Sequence, residues 1–167
     1  PFFIEVMQVL AESGLNCPLP VTARDSSILQ ELQGRPCAIF TFLDGTWSRF
    51  PNREKCAELG RTLATMHLNC APVKLRRPNA LGPAAWQPLL DSIGPQADIV
   101  GDGMHDAIRQ RLDNILAAWP TDLPSGVIHA DLFPNNVLFI GDRLTGVIDF
   151  YFACDDIFAY DLGICLN

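Results

Sequence analysis

From Gly126 to Phe150 the chain reads G-V-I-H-A-D-L-F-P-N-N-V-L-F-I-G-D-R-L-T-G-V-I-D-F, and no other stretch restricts the available folds as tightly. Val127 and Ile128 favour extended backbone, and His129 to Asn136 is a polar loop interrupted by Pro134. Val137 to Ile140 is a second apolar run, Gly141-Asp142 is a turn pair, and Leu144 to Ile148 alternates. The pattern predicts strand, loop, strand, tight turn, strand. This small hairpin scaffold delivers four polar groups: His129, Asp131, Asn136 and Asp149, spaced H-x-D-x4-N, then twelve residues, then D-F.

Phosphoryl transfer needs such a set. The transferred group carries its charge on equatorial oxygens, so catalysis is mainly positioning and electrostatic stabilisation. One carboxylate must take or orient the proton of the attacking hydroxyl, a role suited to Asp131. An amide oxygen and a second carboxylate, Asn136 and Asp149, suit Mg²⁺, which prefers oxygen ligands and keeps several waters. An H-x-D or an I-D-F alone also fits an ordinary capped turn. It is their order and spacing together that match the kinase signature H-R-D-L-x-x-x-N followed by D-F-G, here with Ala130 in the loop and Tyr151 in place of the glycine.

These motifs resemble the aminoglycoside phosphotransferase/choline kinase branch of the kinase-like superfamily. More narrowly, H-A-D-L-F-x-x-N-V-x-F with I-D-F-Y-F-A-C and A-Y-D-x-x-I-C-L-N is similar to the homoserine kinases of that branch, and the likeness runs from the first helix to Asn167. It implies an α/β (α+β) protein-kinase-like fold in two lobes: a partial N-lobe over 1–44 and a partial, mostly helical C-lobe over 45–167. It implies ATP and Mg²⁺ as cofactors and L-homoserine as the small-molecule acceptor, phosphorylated on its hydroxyl on the way to threonine. An aminoglycoside- or choline-type kinase and a non-catalytic binding module are the alternatives. Asp131 would be the base, His129 a support, Asn136 and Asp149 the metal ligands, and Asp161 a brace on the catalytic loop.

The same resemblance makes Thr41-Phe42-Leu43 the interlobe hinge, with the Thr41 carbonyl and Leu43 amide reading adenine. A strand-end turn at Asp44-Gly45 fits those residues equally. No G-x-G-x-x-G occurs, and the family's Gly-rich loop and strand lysine have no counterpart, so an internal fragment is expected. The helix position aligned with the family's lysine-pairing glutamate is Phe3, which leaves Glu5 as a solvated neighbour.

Composition narrows the partners. The net charge is −7 and the longest cationic run is Arg76-Arg77, which disfavours nucleic acid. No apolar stretch reaches membrane-spanning length, and no cationic start leads into an apolar signal segment, so a cytoplasmic location without membrane is expected. The six cysteines form no C-x-x-C pair and read as buried thiols.

Along the rest of the chain, the spacing predicts a helix over 2–12 with Gly14 past its end. Strands are predicted over 27–32 and 37–42 around a turn at 33–36. Asn52 is placed to cap a helix over 53–67 with a stripe at Cys56, Leu59, Leu63 and Met66. His67 at its end reads as structural. Residues 72–95, rich in proline, read as a connector, followed by a helix over 102–119 with Met104, Ile108, Leu112, Ile115 and Trp119 on one face and His105 on its surface. Asp155-Asp156 read either as a solvated turn or as ligands for an acceptor ammonium.

Overall fold

The computed structural model describes residues 1–167. The chain divides into two compact units: 1–77 with 124–167, and 78–123. The boundary expected after residue 44 runs inside the first unit.

In the first unit, helix α1 (Phe2–Glu12) buries Phe2, Ile4, Val6, Met7 and Leu10. It stops because Gly14 adopts φ 87, a left-handed conformation that costs glycine little. Leu15 N then donates to Leu10 O (3.0 Å) and Gly14 N to Ala11 O (3.0 Å), which satisfies the last carbonyls in a Schellman closure. Helix α2 (Arg53–Asn69) starts where Asn52 accepts Lys55 N at 2.9 Å. Of its predicted stripe, Leu63 and Met66 are buried whereas Cys56 is exposed.

Three antiparallel pairs of strands complete the unit: β1 (Gln30–Leu32) with β2 (Arg35–Cys37), β3 (Ser125–Ile128) with β6 (Cys154–Ile157), and β4 (Val137–Ile140) with β5 (Arg143–Val147). Helix α5 (Phe158–Cys165) follows β6. One apolar cluster joins α1, α2 and the β4–β5 hairpin through Leu10, Met66, Val137 and Val147, with Leu132 from the polar loop among them. Truncating a side chain as fully enclosed as Leu10 costs about 2–5 kcal/mol.

Several expectations about elements change. The first hairpin is shorter than predicted. Asp25 Oδ1 accepts Ser27 N (3.0 Å) and Ser27 Oγ (2.6 Å), and this local turn holds residues 25–27 away from the ladder. On its far side the chain leaves β2 to bond a different segment: Val21 N donates to Ile39 O and Thr41 N to Leu19 O.

The strand leading into the polar loop does not extend the β4–β5 hairpin. It pairs with β6, Ile128 against Cys154 and Val127 against Asp155. Asp155 and Asp156 therefore lie on a strand rather than in a turn. The other edge of β4 is met by Thr46, whose amide and carbonyl both bond Phe139 at 2.9 Å.

In the second unit the supposed connector contains helix α3 (Pro83–Ile93) and a 3₁₀ segment over Gly94–Ile99. Pro83 occupies a favoured first-turn position, while Pro88 sits inside and removes one backbone donor, which hid the helix from pattern reading. Helix α4 (Met104–Ala117) starts later than predicted, after Gly103 at φ 72, and Asp98 Oδ1 accepts His105 N (2.9 Å) to cap it. Of its expected face only Leu112 is buried, and Trp119 meets Trp86 edge-on at 5.1 Å. His105 is half-buried rather than on the surface, its Nε2 accepting from Arg109 Nη2 at 3.3 Å. No helix of the chain is long and apolar enough to cross a membrane.

Candidate active site

The loop between β3 and β4 is shaped by one of its own residues and by one from α5. Ala130 takes φ 63, uncommon for a residue with a side chain. Asp161, fully buried near the start of α5, sustains that bend: Oδ1 accepts Ala130 N and Oδ2 accepts His129 N, both at 2.9 Å. His67, at the end of α2, donates from Nε2 to the same Oδ2 at 2.9 Å, and its ring stacks on Phe158 at 4.3 Å. One carboxylate thus receives three N–H groups from α2 and the loop.

His129 is wholly enclosed. Its Nε2 lies 3.0 Å from Ile148 O, and a carbonyl only accepts, so Nε2 carries the hydrogen. Nδ1 then accepts from Asp131 N at 3.3 Å. Both ring nitrogens are satisfied by the neutral tautomer. Burial pushes the imidazole below its ordinary range, more than the carboxylates of Asp161, Asp131 and Asp149 and the Ile148 carbonyl raise it. Neutral and doubly bonded, the ring ties the loop to the backbone just before Asp149.

Asp131, half-buried, and Asn136 are held together. Asn136 Nδ2 donates to Asp131 Oδ2 (2.9 Å) and to Asp131 O (2.6 Å). This use of the amide nitrogen leaves Asn136 Oδ1 as the acceptor end of the group. Asn136 O accepts Ile148 N at 3.0 Å, so the chain brings Asn136 beside the residue preceding Asp149. Asp149 is exposed, at φ 64 and ψ 59, where it opens a 3₁₀ turn over Phe150–Phe152. Non-glycine residues rarely hold this conformation unless their surroundings enforce it. Hydrogen bonds therefore join His129, Asp131, Asn136 and Asp161, and those of Ile148 set the backbone of Asp149 next to them.

Asn136 Oδ1 and the Asp149 carboxylate are hard oxygen donors of the kind Mg²⁺ takes. No trio of His, Cys, Asp and Glu converges in the chain. These two oxygens could hold such an ion only as partial ligands, not as an all-protein cage.

Thr41, Phe42 and Leu43 are tied to the same scaffold from the other direction. Thr41 Oγ1 accepts Leu19 N (2.9 Å), and Thr145 Oγ1 donates to Asp44 O (2.8 Å). Gly45 adopts φ 143 with its Cα so near Thr145 and Leu138 that a Cβ would fall 2.5 Å from Thr145 Oγ1, which explains the glycine. Phe42 points to solvent. A largely apolar cavity of about 590 Å³ is lined by Phe3, Ala38, Phe40, Thr41, Asp149 and Tyr151.

Asp155 and Asp156 border a different, polar cavity of about 540 Å³ with His67, Arg76 and Ser125. Asp155 already serves the chain, Oδ2 accepting Arg77 N at 2.8 Å, and Asp156 Oδ1 accepts Ile157 N at 2.7 Å.

Sequence reasoning missed two residues near the site. Glu5 is not a solvated helix residue: its two oxygens accept Lys74 N (2.7 Å) and Leu75 N (3.2 Å). Arg77 donates to Tyr151 O and Ala153 O, just past Asp149. No local pattern announces either bond, because the partners lie about seventy positions apart in the chain.

The chain is 53% identical over 167 residues to a homoserine kinase of Rhizobium etli, and 54% identical over 168 residues to one of Bradyrhizobium diazoefficiens. Both alignments take in the whole chain, which spans about half the length of these curated relatives, 52% and 51%. Among solved structures, amicoumacin kinase hAmiN in complex with AMP-PNP, Ca²⁺ and Ami superposes with a TM-score of 0.80 at 16% identity, over 99% of this chain and 51% of that one. Spectinomycin phosphotransferase APH(9)-Ia, in complex with ADP and spectinomycin, gives 0.75 at 17% over 96% and 56%. These likenesses carry the protein-kinase-like fold. The model of the phosphotransferase enzyme family matches residues 1–167, every residue that builds the network around Asp131 included, and the chain belongs to that family.

Proposed function

We propose that the protein containing this chain is an ATP-dependent phosphotransferase that phosphorylates the hydroxyl of L-homoserine. The observation that carries the reaction class is the Asp131–Asn136–Ile148 linkage, which gathers a potential base and two oxygen ligands on one hairpin. The choice of acceptor is supported by 52–54% identity across the whole chain to homoserine kinases.

Asp131 has one oxygen, Oδ2, occupied by Asn136, which leaves Oδ1 to receive the proton of the acceptor hydroxyl. Asn136 Oδ1 and the Asp149 carboxylate would hold Mg²⁺, which when bound neutralises charge on the transferring phosphoryl group. His129 moves no proton: its ring is neutral with both nitrogens engaged, and it keeps Asp131 and Ile148 in register. Asp161 holds the bend at Ala130 that aims Asp131 out of the loop. The cavity beside Thr41 has the apolar walls that suit a nucleobase, and of Thr41, Phe42 and Leu43 only Thr41 lines it.

The test is ATP consumption by the complete protein with homoserine, choline and an aminoglycoside, with Mg²⁺ present and then chelated. Metal-dependent turnover with homoserine alone is expected. Turnover with another acceptor would keep the reaction and move the substrate. No turnover with any acceptor would overturn the reading in favour of a binding module.

A further inference from the structure

Asp149 is pinned before its Cα by the bonds of Ile148 to His129 and Asn136. What fixes the chain after it comes from a segment far away in sequence. Arg77 donates from its guanidinium to Tyr151 O and, at 3.4 Å, to Ala153 O, so it spans the turn that Asp149 opens. Its main chain exchanges two further bonds with Asp155: Arg77 N to Oδ2 at 2.8 Å and Asp155 N to Arg77 O at 2.7 Å. Both side-chain bonds leave from one nitrogen, Nη1, whose two hydrogens are shared between the two carbonyls.

Arg77 ends a short run that is itself anchored. Val73 is buried, Arg76 Nη1 donates back to Val73 O at 3.1 Å, and the amides of Lys74 and Leu75 both point at the carboxylate of Glu5. Glu5 belongs to α1. The circuit closes through aromatic rings: Arg77 lies 5.7 Å from the Tyr151 ring centroid, and that ring sits 5.9 Å from Phe3, two residues before Glu5 on the same helix.

We propose that residues 73–77 form a strap, fastened to α1 by Glu5 and to the Asp149 turn by Arg77, which positions the Asp149 carboxylate. Glu5 and Arg77 are positioning residues, since neither reaches the reacting atoms. The proposal rests on the phosphotransferase reading for its effect on turnover and on geometry alone for its effect on the turn. The strap supplies a polar link between α1 and the site. The left-handed backbone of Asp149 needs enforcement from both sides, and the strap provides the second.

The variants Glu5→Ala, Glu5→Gln, Arg77→Ala and Arg77→Lys in the complete protein test this by two readouts. The first is amide hydrogen exchange of the 150–155 peptide, where Ala153 N bonds Phe150 O and Asp155 N bonds Arg77 O. The second is the Mg²⁺ concentration for half-maximal turnover at saturating ATP and homoserine. Glu5→Ala and Arg77→Ala are each expected to raise both by about tenfold, the scale of losing one charge-assisted bond. The KM for homoserine should stay within about twofold, and Arg77→Lys and Glu5→Gln should fall between wild type and alanine. The double alanine variant should add little to either single one, because each releases the same strap.

Unchanged exchange and unchanged Mg²⁺ dependence in Glu5→Ala would overturn the proposal. So would a fall in kcat alone, which indicates only a loss of folded enzyme. Should the alanine variants fail to fold, Glu5→Gln and Arg77→Lys carry the same comparison. If wild type phosphorylates no acceptor, the phosphotransferase reading fails, while exchange of the 150–155 peptide still decides the strap.

Discussion

Asp131 and His129 are neighbours with opposite assignments, and their hydrogen bonds separate them. Asp131 keeps one carboxylate oxygen without a bond from Asn136, whereas His129 has both nitrogens committed. Replacing Asp131 by alanine is therefore expected to lower kcat by about 10²–10⁴-fold, the usual contribution of a general base, with little change in the KM for ATP. Steady-state kinetics of the complete protein measures both, and near-native turnover would remove Asp131 from that role. For His129 the prediction concerns stability. Burial sets its folded pKa below the unfolded value, so on acidification the unfolded chain binds a proton first. Its contribution is thus fully present above about pH 6.5 and is lost as pH falls from there toward the folded value. The difference in unfolding free energy between wild type and His129→Gln, followed by denaturant titration, should be level above about pH 7 and shrink below about pH 6. A difference that stays level throughout would show that the ring is not held neutral.

Among the elements, α2 and the β4–β5 hairpin share a residue whose two ends do separate jobs. Asn52 Oδ1 caps α2 through Lys55 N, and its Nδ2 donates to Asp142 Oδ1 at 2.9 Å, in the turn of the hairpin. Asn52→Ala should destabilise the chain by about 1–2 kcal/mol through loss of the cap. Asn52→Asp keeps a capping oxygen but sets a carboxylate against Asp142. It should recover stability in high salt, where repulsion between exposed charges is screened. Urea melts of the two variants at low and high ionic strength make the comparison, and equal salt dependence would deny the bond to Asp142. The cap was legible because Asn52 immediately precedes a helical stripe. The bond to Asp142, ninety positions away, was not.

At the scale of the whole chain, the cysteines report how firmly the first unit is closed. All six are free thiols. Burial pushes Cys17 up to about 11 and Cys70, Cys154 and Cys165 up to about 12, so none of these supplies much thiolate near neutral pH. Cys56 is exposed on α2. A thiol reagent at about pH 8 should therefore label Cys56 quickly and leave Cys17, Cys70 and Cys154 until denaturant is added, as mass spectrometry of timed samples would record. Fast labelling of Cys17 or Cys70 would mean that the packing of α1 against α2 opens readily.

The catalytic spacing could be read from the sequence because it is local. His129 to Asn136 is a single loop, Asn136 comes just before β4 and Asp149 just after β5, and turn chemistry ties loop to hairpin within twenty-five residues. The ends of α1 and the start of α2 were legible for the same reason: a glycine or an asparagine acts on backbone groups three or four positions away. The tertiary structure alone decided who partners whom across the chain. A two-residue apolar run at Val127-Ile128 announces a strand without saying that β6 is its neighbour. Resemblance alone marked Asp161 as a brace on the catalytic loop, and the groups it receives, from His129, Ala130 and His67, are decided only by the fold. Glu5 reads as a solvated helix residue and Arg77 as half of a cationic pair, because nothing near them in sequence accepts or donates. Their partners arrive only when α1, the 73–77 run and the Asp149 turn pack together. Local hydrogen bonding and periodicity specify elements and caps, while long-range pairing depends on which apolar faces the core buries together, and the sequence does not display that choice at any single position.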